Sequence, residues 1–251
     1  ELWRAPRGVF VFALTNPPML PQVAWLLHKL RGLPYGLLIY DIYPDHLVSI
    51  GWLRKRGLLD RLWTSLNRRT MSRAQVVITL GERMAKTLQA QSGDKSPSHS
   101  IEVIPNWADT DWLRPIPKAE NPFACQLDQV DKVTVLYSGN MGNTHNVNVI
   151  VEAARRVEHN SQVSFLLIGD GAGRQEIEKQ TERYALGNLR LLPYQPWEIL
   201  PYSLATGDIA VITQAPDSER LSMPSKTYSM LAAGCAVIAC TDTDSDLADL
   251  V

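Results

Sequence analysis

The sequence predicts an α/β protein with two doubly wound domains, each built on a parallel sheet that helices cover on both faces. Short apolar or β-branched segments alternate with segments of helical periodicity throughout the 251 residues. The strand segments are apolar almost throughout, which is typical of strands buried on both faces. The pattern restarts after Pro115 and Pro117, so we expect an N-terminal domain over residues 1–117 and a C-terminal domain over residues 118–251, facing a cleft.

The expected elements follow this alternation in both domains. In the first domain the pattern predicts strands at residues 9–14, 36–40, 75–80 and 101–104 and helices at residues 20–30, 47–73 and 82–90. In the second domain it predicts strands at residues 133–138, 163–168, 188–192, 209–213 and 236–240 and helices at residues 146–158, 174–185, 196–206 and 224–233. A doubly wound domain normally has about five or six strands. We therefore expect both domains to be partial and the chain to be truncated at both ends.

The composition is that of a globular protein, with 45% hydrophobic and 20% charged residues. All apolar runs are shorter than the roughly 18 residues that a membrane-spanning helix requires. The three cysteines, Cys125, Cys235 and Cys240, lack the spacing of metal ligands, so we expect buried free thiols in a reducing, cytoplasmic environment. We expect no metal, no other cofactor and no nucleic-acid partner.

Charge is distributed unevenly along the chain. Residues 1–117 contain 15 Lys and Arg against 9 Asp and Glu, whereas residues 118–251 contain 10 against 17. Most of the basic excess lies in residues 52–73, which contain the single acid Asp60 and interleaved Trp and Leu. This pattern predicts an amphipathic basic helix, or a helix pair, that lies on the anionic inner face of the plasma membrane. A solvated helix face is an equally good interpretation of the same pattern.

Two segments in the second half have features of a phosphate-binding site. Residues 221–226, Leu-Ser-Met-Pro-Ser-Lys, precede a helical segment and a buried strand, which is typical of a loop that ends on a helix N-terminus. Amides of the first helical turn, the helix dipole and the Lys226 ammonium, placed one turn into the helix, would attract a diphosphate. Residues 139–142, Gly-Asn-Met-Gly, follow a predicted strand at the sheet edge where open α/β sheets bind ligands. For that segment a purely structural turn is the alternative.

Two further turns contain glycine or charged residues. Residues 169–174, Gly-Asp-Gly-Ala-Gly-Arg, have the third glycine one residue too early for a dinucleotide-binding turn, so we interpret them as a bare turn. Asp41, Asp45 and His46 follow a predicted strand directly. Two carboxylates and an imidazole in such a loop are suited to binding a hydroxylated acceptor or relaying its proton. The alternative is a polar turn in which Asp45 caps the next helix.

Taken together, these segments resemble retaining glycosyltransferases of family 4, which have the GT-B architecture of two Rossmann-like domains. Residues 104–109, Ile-Pro-Asn-Trp-Ala-Asp, are similar to the signature that precedes the interdomain linker of this family. Residues 137–142 and 167–171 are similar to its donor-domain turns, and residues 223–234 resemble its Pro-Ser-Lys block. The similarity is greatest to bacterial enzymes of exopolysaccharide, colanic acid and O-antigen assembly.

The resemblance implies transfer of a sugar from a UDP-sugar to a lipid-linked or saccharide acceptor, without a metal. Many family members carry two glutamates where this chain has Leu221 and Ser229, which indicates a variant donor site. The expected catalytic residues are Asp41, Asp45, His46 and Lys226; the expected donor-binding residues are Gly139, Asn140, Met141, Gly142, Ser222, Pro224, Ser225, Lys226 and Ser229; and the nucleotide base is expected near Pro193, Tyr194 and Gln195. A sugar-nucleotide epimerase of the same architecture and a non-catalytic truncated remnant are the alternatives.

Overall fold

The computed structural model describes residue 6 and residues 8–92, 101–142 and 145–251, and its contacts divide the chain into two compact units. The first unit runs to Pro105 and also includes Pro216–Met223 and Asp242–Leu250. The second unit comprises Asn106–Ala215, Pro224–Thr241 and Val251. Two segments that lie late in the sequence therefore pack with the first unit.

The first unit contains a four-stranded parallel sheet in the order β1-β2-β3-β4. Its elements are β1 (Val11–Leu14), α1 (Leu20–Arg31), β2 (Tyr35–Ile39), α2 (Asp45–Ser49), α3 (Leu58–Met71), β3 (Val76–Thr79), α4 (Glu82–Ser92) and β4 (Ile101–Val103). In the centre of the sheet Leu37 lies opposite Val77, and both are buried. Sequential strands are neighbours here, so the carboxyl ends of β1 and β2 meet at one edge of the sheet.

The basic region at residues 52–73 forms part of a helix pair. The continuous pattern expected over residues 47–73 is interrupted between α2 and α3, where Gly51 (φ 76°) and Arg56 (φ 60°) adopt left-handed backbone conformations. Such conformations cannot continue a right-handed helix. The first three basic residues, Arg54, Lys55 and Arg56, consequently lie in a loop, and the remaining ones lie on or after α3.

The second unit contains a five-stranded parallel sheet in the order β7-β6-β5-β8-β9. Its elements are α5 (Pro122–Gln126), β5 (Val133–Ser138), α6 (Asn148–Arg156), β6 (Val163–Ile168), α7 (Arg174–Arg183), β7 (Leu189–Leu192), α8 (Leu200–Leu204), β8 (Ile209–Thr213), α9 (Lys226–Ala232) and β9 (Ala236–Cys240). The strand order reverses between β5 and β8, which is where doubly wound sheets bind ligands beyond the carboxyl ends of their strands. Two parallel-sheet α/β units confirm the predicted fold class.

Helix α5 was not expected from the sequence. Asn121 begins it by accepting hydrogen bonds from the amides of Phe123 and Ala124, and both of those residues are buried. Cys125 lies on the opposite, exposed side of this short helix. The prediction of three buried thiols is therefore wrong at Cys125, although Cys235 is buried and Cys240 is partly buried.

The core of the second unit lies between β5, β6 and the helices α6 and α7. Val135 and Tyr137 of β5 pack there with Phe165 and Leu167 of β6 and with Ile150 of α6. The Tyr137 side chain is fully buried, and its hydroxyl lies toward the carboxyl end of the strand, near the following turn. Within the described residues no helix combines the length and the hydropathy that crossing a bilayer would require.

The N-terminus of α4 in the first unit is capped by a carboxylate that is remote in sequence. Asp246, at the start of α10 (Asp246–Leu250), accepts hydrogen bonds from the amides of Arg83 (2.8 Å) and Met84 (3.0 Å). A Cβ atom on Gly81 would lie 2.1 Å from the carboxyl carbon of Asp246, so only glycine leaves room for this cap. Arg83 and Asp244 add an ion pair at 2.6 Å.

Replacing Asp246 with alanine should destabilise the first unit by about 2 kcal/mol, because two amides at the N-terminus of α4 lose their acceptor. Urea denaturation followed by circular dichroism measures this loss. Asp249→Ala is the matched control, since that exposed carboxylate forms only an ion pair with Arg83 and should cost less than about 0.5 kcal/mol. Equal losses in the two variants would contradict the capping role.

Candidate functional site

Lys226 lies at the point where the strand order of the second unit reverses. It is the first residue of α9, which starts at Lys226 and not at Pro224 as the sequence predicted. The amides of Thr227 and Tyr228 donate to the carbonyls of Pro224 and Ser225, so these groups are already paired. The predicted contribution of free helix amides is therefore weakened, and the lysine ammonium is the main positive charge at this position.

A chain of contacts holds the Lys226 ammonium at the end of β5. Its Nζ donates to the Tyr137 hydroxyl at 3.0 Å and lies 4.3 Å from the centre of the Tyr137 ring. The same hydroxyl donates to the carbonyl of Asn140 at 2.6 Å. No acidic side chain among the described residues pairs with Lys226, and burial lowers its pKa to about 8. A cation in this position gains an electrostatic partner when an anion binds.

The turn at residues 139–142 passes directly beside this ammonium. Gly139 has a φ of 143°, and a Cβ atom there would lie 3.0 Å from the Lys226 Nζ, so a larger residue would displace the lysine. The amides of Gly139 and Met141 donate to the carbonyls of Ile168 and Asp170. The Met141 side chain is buried in the core. The amides of Asn140 and Gly142 have no acceptor among the described residues, so these two donors of the turn are available to a ligand.

The remaining residues predicted to bind the donor lie in three places. Pro224 and the exposed Ser225 immediately precede α9, and Ser229 follows Lys226 by one helical turn. Ser222 belongs to the first unit, where it forms an antiparallel bridge with Asp41. The loop between β8 and α9 enters the first unit at Pro216 and leaves it after Met223, so Ser222 packs with the first unit and Pro224 with the second.

The loop expected near the nucleotide base follows β7. Tyr194 is largely exposed, and the Gln195 side chain donates to the carbonyl of Pro193 at 2.8 Å. Burial raises the pKa of the Tyr137 phenol, and the nearby Tyr194 adds a smaller shift in the same direction. The Trp197 ring, just beyond this loop, stacks on Trp112 at 4.1 Å between ring centres. This aromatic pair was not expected from the sequence, since neither tryptophan belongs to a recognisable motif.

The cluster predicted to contact the acceptor lies in the first unit, at the carboxyl end of β2. The amide of Asp41 donates to the Thr15 hydroxyl at 3.2 Å, and the amide of Ile42 donates to the carbonyl of Leu221 at 2.8 Å. Burial raises the pKa of Asp41, and the nearby His46 partly opposes this shift. Nδ1 of His46 is buried without a hydrogen-bond partner among the described residues. Asp41 and His46 are thus electrostatic neighbours.

Asp45 interacts with α4 and does not cap α2. Its carboxylate accepts a hydrogen bond from the Gln91 side chain at 2.8 Å, and α2 begins with Asp45 after a proline. Burial raises the pKa of Asp45, with smaller opposing contributions from its hydrogen bonds. Tyr43 stacks parallel to Trp63 and packs edge-on against His46. These rings fix the loop that presents the two carboxylates.

Tyr137→Phe tests whether the phenol positions Lys226. Removing the hydroxyl deletes a hydrogen bond to the ammonium and another to the Asn140 carbonyl. If UDP is the donor nucleotide, as the family resemblance implies, we expect its binding to weaken by about tenfold. Calorimetric titration of UDP, with urea denaturation as a check of folding, measures the effect. Tyr202→Phe, at a partly exposed position of α8, should leave affinity unchanged. An unaltered affinity in Tyr137→Phe would remove this residue from the site.

The described residues contain no group of three or more His, Cys, Asp or Glu side chains arranged to hold a metal ion. Positive charge at the second-unit site is provided by Lys226. In the first unit, the side chains available for proton transfer are the two aspartates and the histidine. Taken separately, the first set suits binding of an anion and the second suits proton transfer.

Two solved structures, HepE and WaaG, illustrate the similarity of this fold to known proteins. HepE of Anabaena, in complex with UDP and glucose, aligns with a TM-score of 0.73 and 19% identity over 96% of this chain and 61% of that one. WaaG, a glycosyltransferase involved in lipopolysaccharide biosynthesis, aligns with a TM-score of 0.65 and 13% identity over 91% of this chain and 64% of that one. At such identities the likeness shows the fold alone, which is the GT-B architecture.

Curated proteins and family models also match the chain. The Probable glycosyltransferase WbjE of Pseudomonas aeruginosa is 28% identical over 248 residues, 99% of this chain and 61% of that protein. The Putative colanic acid biosynthesis glycosyl transferase WcaI of Escherichia coli (strain K12) is 26% identical over 230 residues, 90% of this chain and 55% of that protein. The chain thus spans a little over half the length of these relatives. The family model Glycosyl transferase 4-like domain matches residues 1–107, and the family model Glycosyl transferases group 1 matches residues 121–244. Because both models and both relatives agree, the chain belongs to the family 4 glycosyltransferases.

Proposed function

We propose that this protein is a retaining glycosyltransferase that moves a sugar from a UDP-sugar to a lipid-linked or saccharide acceptor in cell-surface polysaccharide synthesis. The observation that carries the proposal is the buried Lys226 ammonium, which has no acidic partner among the described residues and lies beside the Gly139 turn. HepE was crystallised with UDP and with UDP-glucose, and the name of WcaI refers to colanic acid biosynthesis. Both facts support this assignment.

In the proposed reaction the bond between the anomeric carbon and the diphosphate oxygen breaks, and the anomeric carbon bonds to an acceptor hydroxyl. Lys226 and the amides of Asn140 and Gly142 stabilise the negative charge that develops on the diphosphate. Well-placed donors of this kind contribute roughly 3–4 kcal/mol each to transition-state stabilisation. Because lysine provides this charge, we propose that transfer proceeds without a metal ion, so a chelator should leave activity unchanged.

The acceptor hydroxyl must lose its proton during transfer. Asp41, Asp45 and His46 are the groups proposed to bind this hydroxyl and to move its proton in the first unit. Burial raises the pKa of both aspartates, which brings their protonation equilibria closer to neutral pH. The nucleotide base is proposed to contact the loop at Pro193, Tyr194 and Gln195.

Titration with UDP, GDP and their glucose conjugates tests the donor assignment directly. A ligand that binds only the native state raises its unfolding midpoint according to affinity. We expect UDP and UDP-glucose to raise the midpoint and GDP to have a smaller effect. Absence of binding by every nucleotide would overturn the proposed function. Transfer of radiolabel from the bound sugar to a polyprenyl diphosphate saccharide then identifies the acceptor class.

We propose that the protein is cytoplasmic and that residues 52–73 bind the inner surface of the plasma membrane. Trp52, Leu58, Leu59 and Leu62 are between 58% and 76% exposed, and they lie among basic residues of the α2–α3 loop and α3. A surface that binds at the membrane interface combines apolar side chains, which insert into the bilayer, with cations, which attract anionic lipids.

Neutralising this loop should release the protein from anionic vesicles. Each basic residue near such a surface contributes about 1 kcal/mol, so Arg54→Gln combined with Lys55→Gln should weaken binding by roughly 30-fold. Co-sedimentation with vesicles that contain phosphatidylglycerol measures this change. The combination of Lys179→Gln and Arg183→Gln removes the same charge from α7 and should have little effect. Equal effects of the two pairs would indicate that only net charge matters.

A further inference from the structure

A cavity of about 640 Å³ in the first unit has a predominantly basic lining. Four cationic side chains and two carboxylates contribute to it: Arg68, Arg83, Lys86 and Arg220, with Asp45 and Asp244. The volume lies within the range of small-molecule binding sites. Arg83 and Lys86 come from one face of α4, since positions three residues apart lie on the same side of a helix. The net charge of the lining attracts anions.

The four cations differ in how far protein carboxylates already neutralise them. Arg83 and Arg220 both form ion pairs with Asp244. Arg68 uses only its Nε, which donates to the carbonyl of Gln91. Lys86 has no hydrogen bond or ion pair with any residue in the part of the chain that the structure describes. Two positive charges, those of Lys86 and Arg68, therefore remain available to a ligand.

We propose that this cavity binds the diphosphate of a lipid-linked acceptor, with Lys86 and Arg68 as its phosphate ligands. The inference rests on the proposed function, because it assigns the acceptor of that transfer. A diphosphate has enough oxygen atoms to accept charge-assisted hydrogen bonds from Lys86 and Arg68 at the same time. Asp45 belongs to the same lining, so a hydroxyl of the sugar attached to the diphosphate can reach this carboxylate.

The position of α3 favours a lipid-linked diphosphate over a free one. Arg68 lies near the end of this helix, and the exposed Leu58 and Leu62 lie near its beginning. At a rise of 1.5 Å per residue, Arg68 is about 9 Å along the helix from Leu62. With 3.6 residues per turn, Arg68 is also about 120° around the helix from Leu62, so a lipid chain held at the exposed leucines must cross the surface of α3 to place its head group in the cavity. A free oligosaccharide diphosphate would gain nothing from these apolar neighbours.

Binding of farnesyl diphosphate in the presence of saturating UDP tests the inference, since UDP keeps the probe away from Lys226. Inorganic pyrophosphate is the lipid-free arm of the experiment. We compare the wild type with Lys86→Gln and Arg68→Gln by calorimetry. Arg69→Gln is the matched control, because it removes the same charge from an exposed neighbour that does not line the cavity.

We expect Lys86→Gln and Arg68→Gln each to weaken farnesyl diphosphate binding at least tenfold and Arg69→Gln to change it less than twofold. Wild-type affinity in Lys86→Gln, or no binding while UDP is bound, would overturn the proposal. Equal affinity for pyrophosphate and farnesyl diphosphate would overturn its lipid component. Failure of UDP itself to bind would count against the proposed function instead. The Lys86 comparison would then be made in a Lys226→Met background, which keeps the two results separate.

Discussion

Replacing Lys226 with methionine should lower UDP affinity by at least about 30-fold and at the same time stabilise the free protein. Loss of one partner from a buried charge pair costs about 2–5 kcal/mol of binding, which gives the first effect. The second effect follows from burial, which lowers the Lys226 pKa from 10.5 to about 8 and so disfavours the charged form in the folded state. Calorimetry and urea denaturation measure the two effects separately.

The size of the stabilisation follows from the pKa. Each unit corresponds to about 1.4 kcal/mol, so burial of the charge costs the folded state about 3 kcal/mol near neutral pH. Methionine also gives up the contact of the ammonium with the Tyr137 ring, worth about 1 kcal/mol. We therefore expect a net gain of about 2 kcal/mol. Such opposite changes in binding and stability indicate a functional charge and not a structural one.

The same pKa predicts how both quantities depend on pH. Between pH 8 and 10.5 the unfolded state holds more protons at this lysine than the folded state, so wild-type stability rises with pH in that window. The advantage of the Lys226→Met variant should disappear over the same window. UDP affinity should fall above about pH 8, by up to about tenfold per pH unit, because the free protein loses the proton that the anion requires. The variant should show no such fall.

Lys179→Met is the matched control for these measurements. Lys179 is exposed on α7, so its replacement removes an equal charge from the second unit without altering a buried site. It should leave affinity, stability and pH dependence unchanged. An affinity loss below tenfold in Lys226→Met would exclude the lysine from donor binding, whatever its effect on stability.

The fold could be predicted because most strand segments are apolar almost throughout, which is typical of parallel sheets covered by helices. Strand β1 departs from this pattern in the structure, since Phe12 and Leu14 are exposed. The sequence also indicated the boundaries of most elements, but it placed the start of α9 at Pro224, since proline is common at the first helical position. In the structure the carbonyls of Pro224 and Ser225 accept hydrogen bonds in a preceding turn, and the helix begins at Lys226. Local propensity sets such boundaries only approximately.

The candidate site was predictable where a residue type carries the chemistry by itself. Lys226 and the glycine turn were identified for that reason. Tyr137 begins a segment that resembles a donor-domain turn, but it was given no role of its own, because an aromatic residue in an apolar strand is ordinarily a core residue. Its role depends on where the hydroxyl points, which only the tertiary structure shows. Ser222 was grouped with Lys226 because the two are close in sequence. Its bridge with Asp41 depends on the path of an irregular loop, which no periodicity predicts.

Replacing Gly169 with alanine should destabilise the second unit by about 3 kcal/mol or more. A Cβ atom at this position would lie 1.9 Å from the carbonyl oxygen of Gly139, and the φ of 145° is itself unfavourable for any other residue. The contact joins two backbone segments, so no side-chain rotation relieves it. The turn at Gly139 must move, and with it the position that the Lys226 ammonium occupies. We therefore expect UDP affinity to fall together with stability.

A graded series of glycine substitutions separates this clash from a general effect of alanine. Alanine at Gly173 would approach the Met141 carbonyl to 2.9 Å, and alanine at Gly187 would meet nothing within 4 Å. We expect destabilisation in the order Gly169, Gly173, Gly187, with the last below about 1 kcal/mol. Gly173→Ala remains measurable by urea denaturation even if Gly169→Ala folds poorly, because its contact with a different carbonyl of the same turn, that of Met141, is milder. Equal stability of Gly169→Ala and Gly187→Ala would show that the two turns do not support each other. In that case the Gly-Asp-Gly segment would need a role other than holding the Gly139 turn against Lys226.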